Sequence, residues 1–549
     1  MLVPAIYMLQ LYDRVITSGS ESTLLMLTLI LLILFITMGA LEWVRSQILV
    51  RVGSRLEMLL SKRLYGASFK QAIYSGGSKV SSQPLDDLSG LRQFLTGNGL
   101  FAFFDAPWLP IYIAVLFMFH FSYGVMAIIT VLILSCLAIL NEKMTGKKLK
   151  KANTQAISAR NLVNKNLRNA EVVESMGMLE GIRRRWEETT QKVLVLQAEA
   201  STSAGAITSI SKTSRMLAQS LILGLGAYLV LNQEITPGLM IAGSILLGRA
   251  LAPIDLMIGS WKGFVAARGQ YERLNEILLK IPEDGEKMPL PVPDGKLDVN
   301  GIVVVPPGSK VPVVKSVSFT LESGESLGII GPSAAGKSTL ARALLGIWPA
   351  MSGKVRLDGV DVFEWDRQQL GPHIGYLPQD IELFDGTIAE NISRFSEIDS
   401  EKVVNAAKLA DVHETILALP QGYDTIIGST DGVLSGGQRQ RIGLARAVFG
   451  EPKLILLDEP NSNLDDRGEI ALAQALRMLK QKGVTVIVIT HRPGVLNEMD
   501  KILIMKEGVL VAYGPKMEVL QELNKKSGKG DGQSNVSKKV APVTVPPVL

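Results

Sequence analysis

The chain has 549 residues, which is too many for one hydrophobic core, so two or three domains are expected. Hydrophobic residues make up 47% of the chain and charged residues 20%, a balance that is rare in soluble proteins and indicates a membrane protein. The net charge of +5 is too small over this length to indicate nucleic-acid binding, and a single cysteine excludes a disulfide framework or a cysteine-based metal cluster. We expect that cysteine, Cys136, to be a small buried hydrophobe, because it lies inside an apolar run.

Five apolar runs in the first half of the chain are candidates for membrane-spanning helices. The first covers residues 24–44, and this length of helix extends about 31 Å, enough to cross the hydrocarbon core. The apolar run at residues 1–11 is too short to span, and we expect it to be the end of a further helix that begins upstream. The other four candidates are residues 101–119, 123–140, 216–231 and 235–261.

Lysine and arginine are concentrated in two of the loops between these runs. They are frequent after residue 44 and after residue 140, whereas the three short connections hold one basic residue, Arg14. Because basic loops stay in the cytoplasm, residue 1 lies near the outer face. The sequence therefore predicts an α-helical transmembrane domain of six spans, the first of them beginning upstream, and a cytoplasmic C-terminal half. Recurrent apolar residues in the basic loops predict that the spanning helices continue into the cytoplasm.

Some charged side chains of the predicted spans need an explanation. Asp105 stands before an Ala-Pro pair at the start of one span, and we favour an N-terminal helix cap over a role in transport. Arg249 and Asp255 lie near the cytoplasmic end of the last span. We expect both to snorkel to the water interface rather than to bind a substrate.

The composition changes after the last span. Residues 281–296 are dominated by Pro, Gly, Glu and Asp and lose apolar periodicity, which indicates a linker. The linker divides the transmembrane domain, residues 1–280, from a second domain at residues 297–524. Residues 525–549 are rich in Gly, Ser and Lys and then in Pro and Val, which predicts a disordered tail.

A glycine-rich motif follows an apolar run at residues 326–330 and precedes a stretch with helical spacing, so it lies at a strand-to-helix turn of an α/β domain. In this motif, G-x-x-x-x-G-K-S-T, backbone N–H groups converge on phosphate oxygens at a helix N-terminus. Lys337 is expected to reach the β- and γ-phosphates, and the Ser338 hydroxyl is expected to bind Mg²⁺. We therefore predict a phosphate loop that binds ATP with Mg²⁺. Its residues are Gly331, Pro332, Ser333, Ala334, Ala335, Gly336, Lys337, Ser338 and Thr339.

Two adjacent carboxylates end a second apolar strand at residues 454–457. A phosphate loop requires such a strand as its partner. We expect Asp458 to hold Mg²⁺, either directly or through water. Glu459 comes next, at the exit of the strand, where it is placed to orient and deprotonate the attacking water.

The run LSGGQ at residues 434–438 resembles the signature of ATP-binding cassette (ABC) ATPases, and residues 297–522 as a whole resemble that family. Three further motifs of the family occur in its order. They are a glutamine loop with Gln379, a D-loop that ends at Asp465, and a switch histidine, His491.

The resemblance implies functions for these residues. Gln379 and His491 are expected to take part in catalysis, with Gln379 also at the metal and His491 near the γ-phosphate. In this family the nucleotide lies between the phosphate loop of one subunit and the signature of the other, so a chain with one cassette resembles half of a homodimer. The residues expected to contact nucleotide from the signature side are Ser435, Gly436, Gly437, Gln438 and Asp465.

Stretches of the first half, at residues 2–15, 104–110 and 167–178, resemble bacterial type I secretion exporters of the protease/lipase (PrtD-like) group. This resemblance covers nearly the whole chain. It implies ATP-driven export of a polypeptide across the inner membrane, with a periplasmic membrane-fusion protein and an outer-membrane channel protein as partners. Two alternatives remain open: export of a lipid, drug or small peptide, and a membrane-anchored ATPase that regulates a partner.

One feature departs from the cassette family. Many cassettes place an aromatic residue about two dozen residues before the phosphate loop, where it stacks on adenine. Here the corresponding residues, 303–308, read VVVPPG and contain no aromatic ring. We therefore expect phosphate contacts to dominate nucleotide affinity.

Overall fold

The structure is a computed structural model, and it describes residues 2–77, 80–283, 285, 287–428 and 434–527. The chain divides into two compact units, residues 1–72 with 79–283 and residues 73–78 with 284–549. The last described helix ends at Ser527. Most of the tail predicted at residues 525–549 therefore lies outside the described residues.

The first unit is helical. A π-helical turn, Leu11–Ile16, continues its first helix, and a 3₁₀ turn, Ala106–Trp108, joins the fourth helix to the fifth. The α-helices described in this unit are α1 (Val3–Gln10), α2 (Glu21–Tyr74), α3 (Gln83–Thr96), α4 (Asn98–Asp105), α5 (Leu109–Phe119), α6 (Phe121–Leu167), α7 (Ala170–Ser175), α8 (Leu179–Leu231) and α9 (Pro237–Lys280).

Five helical stretches of the described chain are long and apolar enough to cross a membrane. Four lie in α2, α6, α8 and α9, and the fifth is Gly99–Phe119, which includes α5. Four of them contain a predicted apolar run, and α9 contains all but the first two residues of the run 235–261, so the prediction of helices there is confirmed. Because α2 and α8 have 54 and 53 residues, each extends about 80 Å, far beyond a hydrocarbon core of roughly 30 Å. Both helices are therefore longer than a membrane span requires, and their continuation into the cytoplasm stays a prediction.

Small residues hold three of the long helices together. Tyr123 of α6 is fully buried, and a Cβ at Gly243 of α9 would come within 2.5 Å of its ring. A Cβ at Gly226 of α8 would lie 2.2 Å from the Tyr123 hydroxyl oxygen. A side chain at either position would collide with the ring, so glycine is what allows α6, α8 and α9 to pack around it.

Asp105 does not cap a helix, so that prediction is wrong. Its backbone is itself helical, with φ −86° and ψ −24°, and its side chain accepts no capping hydrogen bond. Instead Arg45 of α2 donates from a guanidinium nitrogen 3.4 Å from Asp105 Oδ1, and the same guanidinium lies 4.1 Å from the centre of the Phe101 ring. The carboxylate is used to join α2 to the segment that leads into α5.

Asp255 also pairs within the protein, so the snorkelling prediction is wrong for this residue. Its Oδ2 lies 2.8 Å from Arg215 Nε of α8, and its Oδ1 accepts a hydrogen bond from Ser211 Oγ at 2.8 Å. An opposite charge and a hydroxyl on the neighbouring helix offset the cost of taking a carboxylate out of water. Arg249 is exposed at the surface of the helical unit.

Cys136 is exposed on α6, so the prediction that it is buried is wrong. Leu134, two residues earlier, is fully buried in the packed core. Two residues correspond to a rotation of about 200° around an α-helix, which turns Cys136 away from that core.

The second unit contains strands and helices. Its described strands are β1 (Leu297–Val304), β2 (Val314–Leu321), β3 (Ser326–Ile330), β4 (Ser352–Leu357), β5 (Val360–Asp361), β6 (Ile374–Leu377), β7 (Gly386–Thr387), β8 (Ile426–Ile427), β9 (Leu454–Asp458), β10 (Thr485–Ile489), β11 (Lys501–Lys506) and β12 (Val509–Pro515). Its described α-helices are α10 (Lys337–Leu344), α11 (Arg367–Leu370), α12 (Ile388–Ile392), α13 (Ser400–Leu409), α14 (His413–Leu417), α15 (Gly436–Val448), α16 (Asp466–Gln481), α17 (Pro493–Leu496) and α18 (Lys516–Ser527).

The central sheet has six strands in the order β12-β11-β3-β10-β9-β6, in which all neighbouring pairs except β12 with β11 are parallel. An antiparallel sheet, β2-β1-β4-β5, and a small pair, β7-β8, complete the unit. Because the carboxyl ends of parallel strands meet at one edge, the residues that follow β3, β9, β10 and β6 come together there. The predicted α/β nucleotide-binding fold is confirmed.

Candidate functional site

The phosphate loop connects β3 to α10. Gly331 approaches other backbone so closely that a Cβ there would lie 2.2 Å from Met505 O. Gly336 has a left-handed φ of +94° and directly precedes α10, whose first N–H groups have no partner within the helix. The Lys337 ammonium donates to Gly331 O at 2.7 Å and to Pro332 O at 3.1 Å. The loop therefore presents backbone N–H groups and a lysine at a helix N-terminus, as an anion site requires.

Asp458 ends β9 and is buried. Burial raises the pKa of Asp458, and the Ser338 hydroxyl acts in the opposite direction. Asp458 Oδ1 is buried, and none of the described residues gives it a hydrogen bond. Burial also disfavours the charged form of Lys337 and so lowers its pKa, whereas the charges of Glu459 and Asp458 act to raise that pKa. A carboxylate oxygen without a partner, beside a hydroxyl, has the chemistry of a ligand for a hard cation.

Glu459 lies between two other predicted site residues. Gln379 Nε2 donates to Glu459 Oε2 at 3.3 Å, and His491 Nε2 lies 3.9 Å from Glu459 Oε1. The backbone of Glu459 has a φ of +50°, and its N–H donates to Ile489 O at 2.9 Å. The end of β10 thus fixes the backbone of this residue, and its carboxylate, 31% exposed, is within reach of water.

The signature residues form a helix start of their own. Ser435 Oγ accepts a hydrogen bond from Gln438 N, and Gln438 Oε1 accepts one from Ser435 N, which is a capping box at the beginning of α15. Asp465 caps α16, because its Oδ1 accepts a hydrogen bond from Gly468 N at 2.9 Å. The side chains of Gln438 and Asp465 are therefore occupied by helix capping in the single chain.

The structure separates the predicted residues into two groups. The first group lies at one edge of the central sheet and comprises Lys337, Ser338, Gln379, Asp458, Glu459 and His491. The second group comprises Ser435, Gly436, Gly437, Gln438 and Asp465, and among the described residues no hydrogen bond joins these to the phosphate loop.

Sequence reasoning missed Gln440, Asn461 and Thr490, which are buried polar residues beside both groups. One signal was present for Gln440. In α15 it shares a face with Leu444 and Val448, four and eight residues further on, and both of these are buried. A polar residue on a buried helix face must find hydrogen-bond partners inside the protein.

Both units of the chain resemble known proteins. Residues 1–251 match the family described as ABC transporter transmembrane region, and residues 314–462 match the family described as ABC transporter. The type I secretion system ATP-binding protein PrsD of Rhizobium meliloti (strain 1021) is 46% identical over 95% of this chain and 90% of PrsD. The leukotoxin translocation ATP-binding protein LktB of Mannheimia haemolytica is 29% identical over 95% of this chain and 74% of LktB. The solved structure of a bacterial Atm1-family ABC exporter with ATP bound has a TM-score of 0.82 over 98% of this chain and 96% of that one, at 22% identity.

These matches and the fold define a class of protein: a multi-pass inner-membrane transporter with a cytoplasmic domain that binds and hydrolyses ATP. The chain belongs to the family of ABC exporters of bacterial type I secretion systems. The predicted family, enzyme class and location are therefore confirmed.

Proposed function

We propose that this chain is the translocase of a type I secretion system and uses ATP to export a polypeptide across the inner membrane. The observation that carries the proposal is the position of Glu459 between Gln379 and His491, at the sheet edge that also holds the phosphate loop. The described part of the same chain has five helices that are long and apolar enough to span a membrane. PrsD and LktB are named for type I secretion and leukotoxin translocation, and both names support a polypeptide as the transported molecule.

Each residue of the site has a separate function in ATP hydrolysis. Lys337 binds the β- and γ-phosphates, which offer its ammonium anionic partners in place of the carbonyls of Gly331 and Pro332. Glu459 accepts the proton of the attacking water. Gln379 holds one oxygen of that carboxylate and so sets its orientation, and His491 lies by the other oxygen, where it can contact the γ-phosphate.

Mg²⁺ fits the residues beside the phosphate loop. Asp458 Oδ1 is buried without a hydrogen bond from any described residue, and the Ser338 hydroxyl lies by the same carboxylate. Ser338, Asp458 and Gln379 offer oxygen ligands, which this ion prefers. When bound, Mg²⁺ neutralises phosphate charge and polarises the γ-phosphate.

A homodimer accounts for the second group of residues. The helix start at Ser435, Gly436 and Gly437 is suited to bind phosphate, yet within one chain it is not bonded to the phosphate loop, among the residues described. Each ATP would then lie between the phosphate loop of one subunit and the signature of its partner. A periplasmic membrane-fusion protein and an outer-membrane channel protein complete the proposed secretion system, consistent with the similarity to PrsD, a type I secretion protein.

Export of a candidate protein tests the proposal. Co-expression of the chain with its fusion protein, its channel protein and a secreted protein encoded by neighbouring genes should place that protein in the medium. The Glu459→Gln variant should remain in the membrane and abolish export. ATP-dependent flux of a lipid or dye in vesicles, without export of the protein, would favour an exporter of lipids, drugs or small peptides. ATP hydrolysis without transport of any of them would favour a regulatory ATPase.

Residues 303–308 contain no aromatic ring that could stack on adenine, so we expect only a weak preference for ATP over GTP. The turn between β1 and β2 returns to the phosphate loop, since a Cβ at Gly336 would lie 3.1 Å from Val313 O. Stacking of a base on an aromatic ring contributes about 1–3 kcal/mol. We expect the Michaelis constants for ATP and GTP hydrolysis to agree within about tenfold, and Val305→Tyr to lower the constant for ATP by about fivefold or more. Val305→Leu, which is apolar but has no ring, is the control. A strong ATP preference that Val305→Tyr leaves unchanged would contradict this prediction.

A further inference from the structure

A buried amide connects the signature helix to residues 460–465, here named the 460–465 segment. Gln440 of α15 is 1% exposed, and its Nε2 donates to Pro460 O. Its Oε1 accepts a hydrogen bond from Asn463 N at 2.9 Å. A Cβ at Gly437 would lie 3.0 Å from Asn463 O. The signature loop and the 460–465 segment are therefore in direct contact. The Gln440 side chain makes hydrogen bonds to two backbone groups of the segment.

The other side of the same segment is bonded to the turn that contains His491. Asn461 is buried, and its Oδ1 accepts a hydrogen bond from Thr490 Oγ1 at 3.1 Å. Thr490 is fully buried, and its Oγ1 accepts a hydrogen bond from Arg492 N at 3.1 Å. The threonine hydroxyl therefore joins the segment to backbone on both sides of His491.

These bonds make a continuous path from the signature helix to the 490–492 turn that contains the switch histidine, and its three side chains, Gln440, Asn461 and Thr490, are buried. Gln440, Asn461 and Thr490 are buried polar residues, and leaving such a side chain without its partner costs about 1–3 kcal/mol. A displacement of the signature helix must therefore carry the 460–465 segment and the 490–492 turn with it, or break buried hydrogen bonds.

We propose that Gln440, Asn461 and Thr490 are positioning residues for ATP hydrolysis, and that they transmit binding at the signature loop to His491 and Glu459 of the same chain. This inference rests on the proposed homodimer. In that dimer the signature loop of one chain closes one ATP site, whereas Glu459 of the same chain serves the other. The path therefore couples the two sites and makes hydrolysis cooperative in ATP.

One strand supplies a matched pair of substitutions. Thr485 is the first residue of β10 and Thr490 directly follows its last residue. Both are fully buried, and each hydroxyl makes two hydrogen bonds. Thr485 binds Gly324 N and Gly295 O, which lie outside the path. Thr490→Val removes a hydroxyl from the path, and Thr485→Val removes one from the rest of the domain.

The full-length dimer in lipid nanodiscs is assayed for kcat, KM, Hill coefficient, ATP binding and thermal unfolding. Both variants should lose stability to a similar extent. Only Thr490→Val should also lower kcat, by roughly ten- to a hundredfold, and reduce the Hill coefficient to about one, with ATP binding unchanged. Thr490→Ser, which keeps the hydroxyl, should restore both kinetic parameters. Gln440→Glu, which keeps an acceptor for Asn463 N but loses the donor to Pro460 O, should reproduce the defect and replaces Thr490→Val if that variant does not fold.

Equal kinetics of Thr490→Val and Thr485→Val would overturn the inference and leave the proposed function standing. A Hill coefficient of one in the unaltered, active dimer would also overturn it. Absence of ATP hydrolysis in the unaltered protein would overturn the proposed function and, with it, the inference.

Discussion

Glu459→Gln should reduce ATP turnover by at least about a hundredfold, the contribution expected of a general base. Glutamine has nearly the same shape as glutamate but cannot accept the proton of the attacking water. The phosphate loop, Ser338 and Asp458 are unchanged by this substitution, so the variant should still bind MgATP and hold two chains together. The measurements are steady-state ATPase activity, nucleotide binding and dimerisation in the presence of ATP.

Glu451→Gln is the matched control for this substitution. Glu451 precedes β9 and Glu459 follows it, and both residues have a positive φ, +55° and +50°. Glu451 is 85% exposed at the surface. We expect this control to keep normal turnover. Turnover of Glu459→Gln within a few-fold of the unaltered protein would remove Glu459 from the role of general base.

Local patterns were sufficient to predict the parts of the site that depend on neighbouring residues. The phosphate loop has glycines at two positions that disfavour a side chain, Gly331 against Met505 O and Gly336 with its left-handed φ. The carboxylates of Asp458 and Glu459 follow a strand buried throughout its length. Such features leave a signature in consecutive residues, and so do the apolar runs of the spanning helices.

Pairings between distant residues were not predictable in the same way. Asp105 binds Arg45, sixty residues earlier, and Asp255 binds Arg215 on another helix. Asn461 is joined to Thr490, twenty-nine residues later, and nothing in either local sequence indicates the bond. Each of these contacts follows from how helices and strands pack, so their residues were assigned to capping or to the water interface, or were not identified at all.

The proposed composite ATP sites predict that one pair of inactive variants recovers hydrolysis when mixed and that another pair does not. Lys337→Ala and Ser435→Arg should each inactivate the homodimer, because every site then contains a lesion. A mixed dimer of these two variants has one site with both lesions and one site with neither. If one intact composite site is sufficient, purified mixed dimers should recover hydrolysis that neither homodimer shows.

A second mixed dimer distinguishes ATP sites shared between two subunits from ATP sites formed within one subunit. Lys337 and Glu459 act electrostatically on each other within one chain, so both belong to the same ATP site. A mixed dimer of Lys337→Ala with Glu459→Gln therefore has one lesion in each site and should stay inactive, although it also carries one intact copy of every residue. Dimers can be isolated with a different affinity tag on each subunit and assayed for ATP hydrolysis. Inactivity of both pairings would contradict independently active composite sites, and hydrolysis by purified monomers would contradict the requirement for a dimer. Recovery in the first pairing alone places the Ser435 signature of one subunit across the site from the Lys337 loop of its partner.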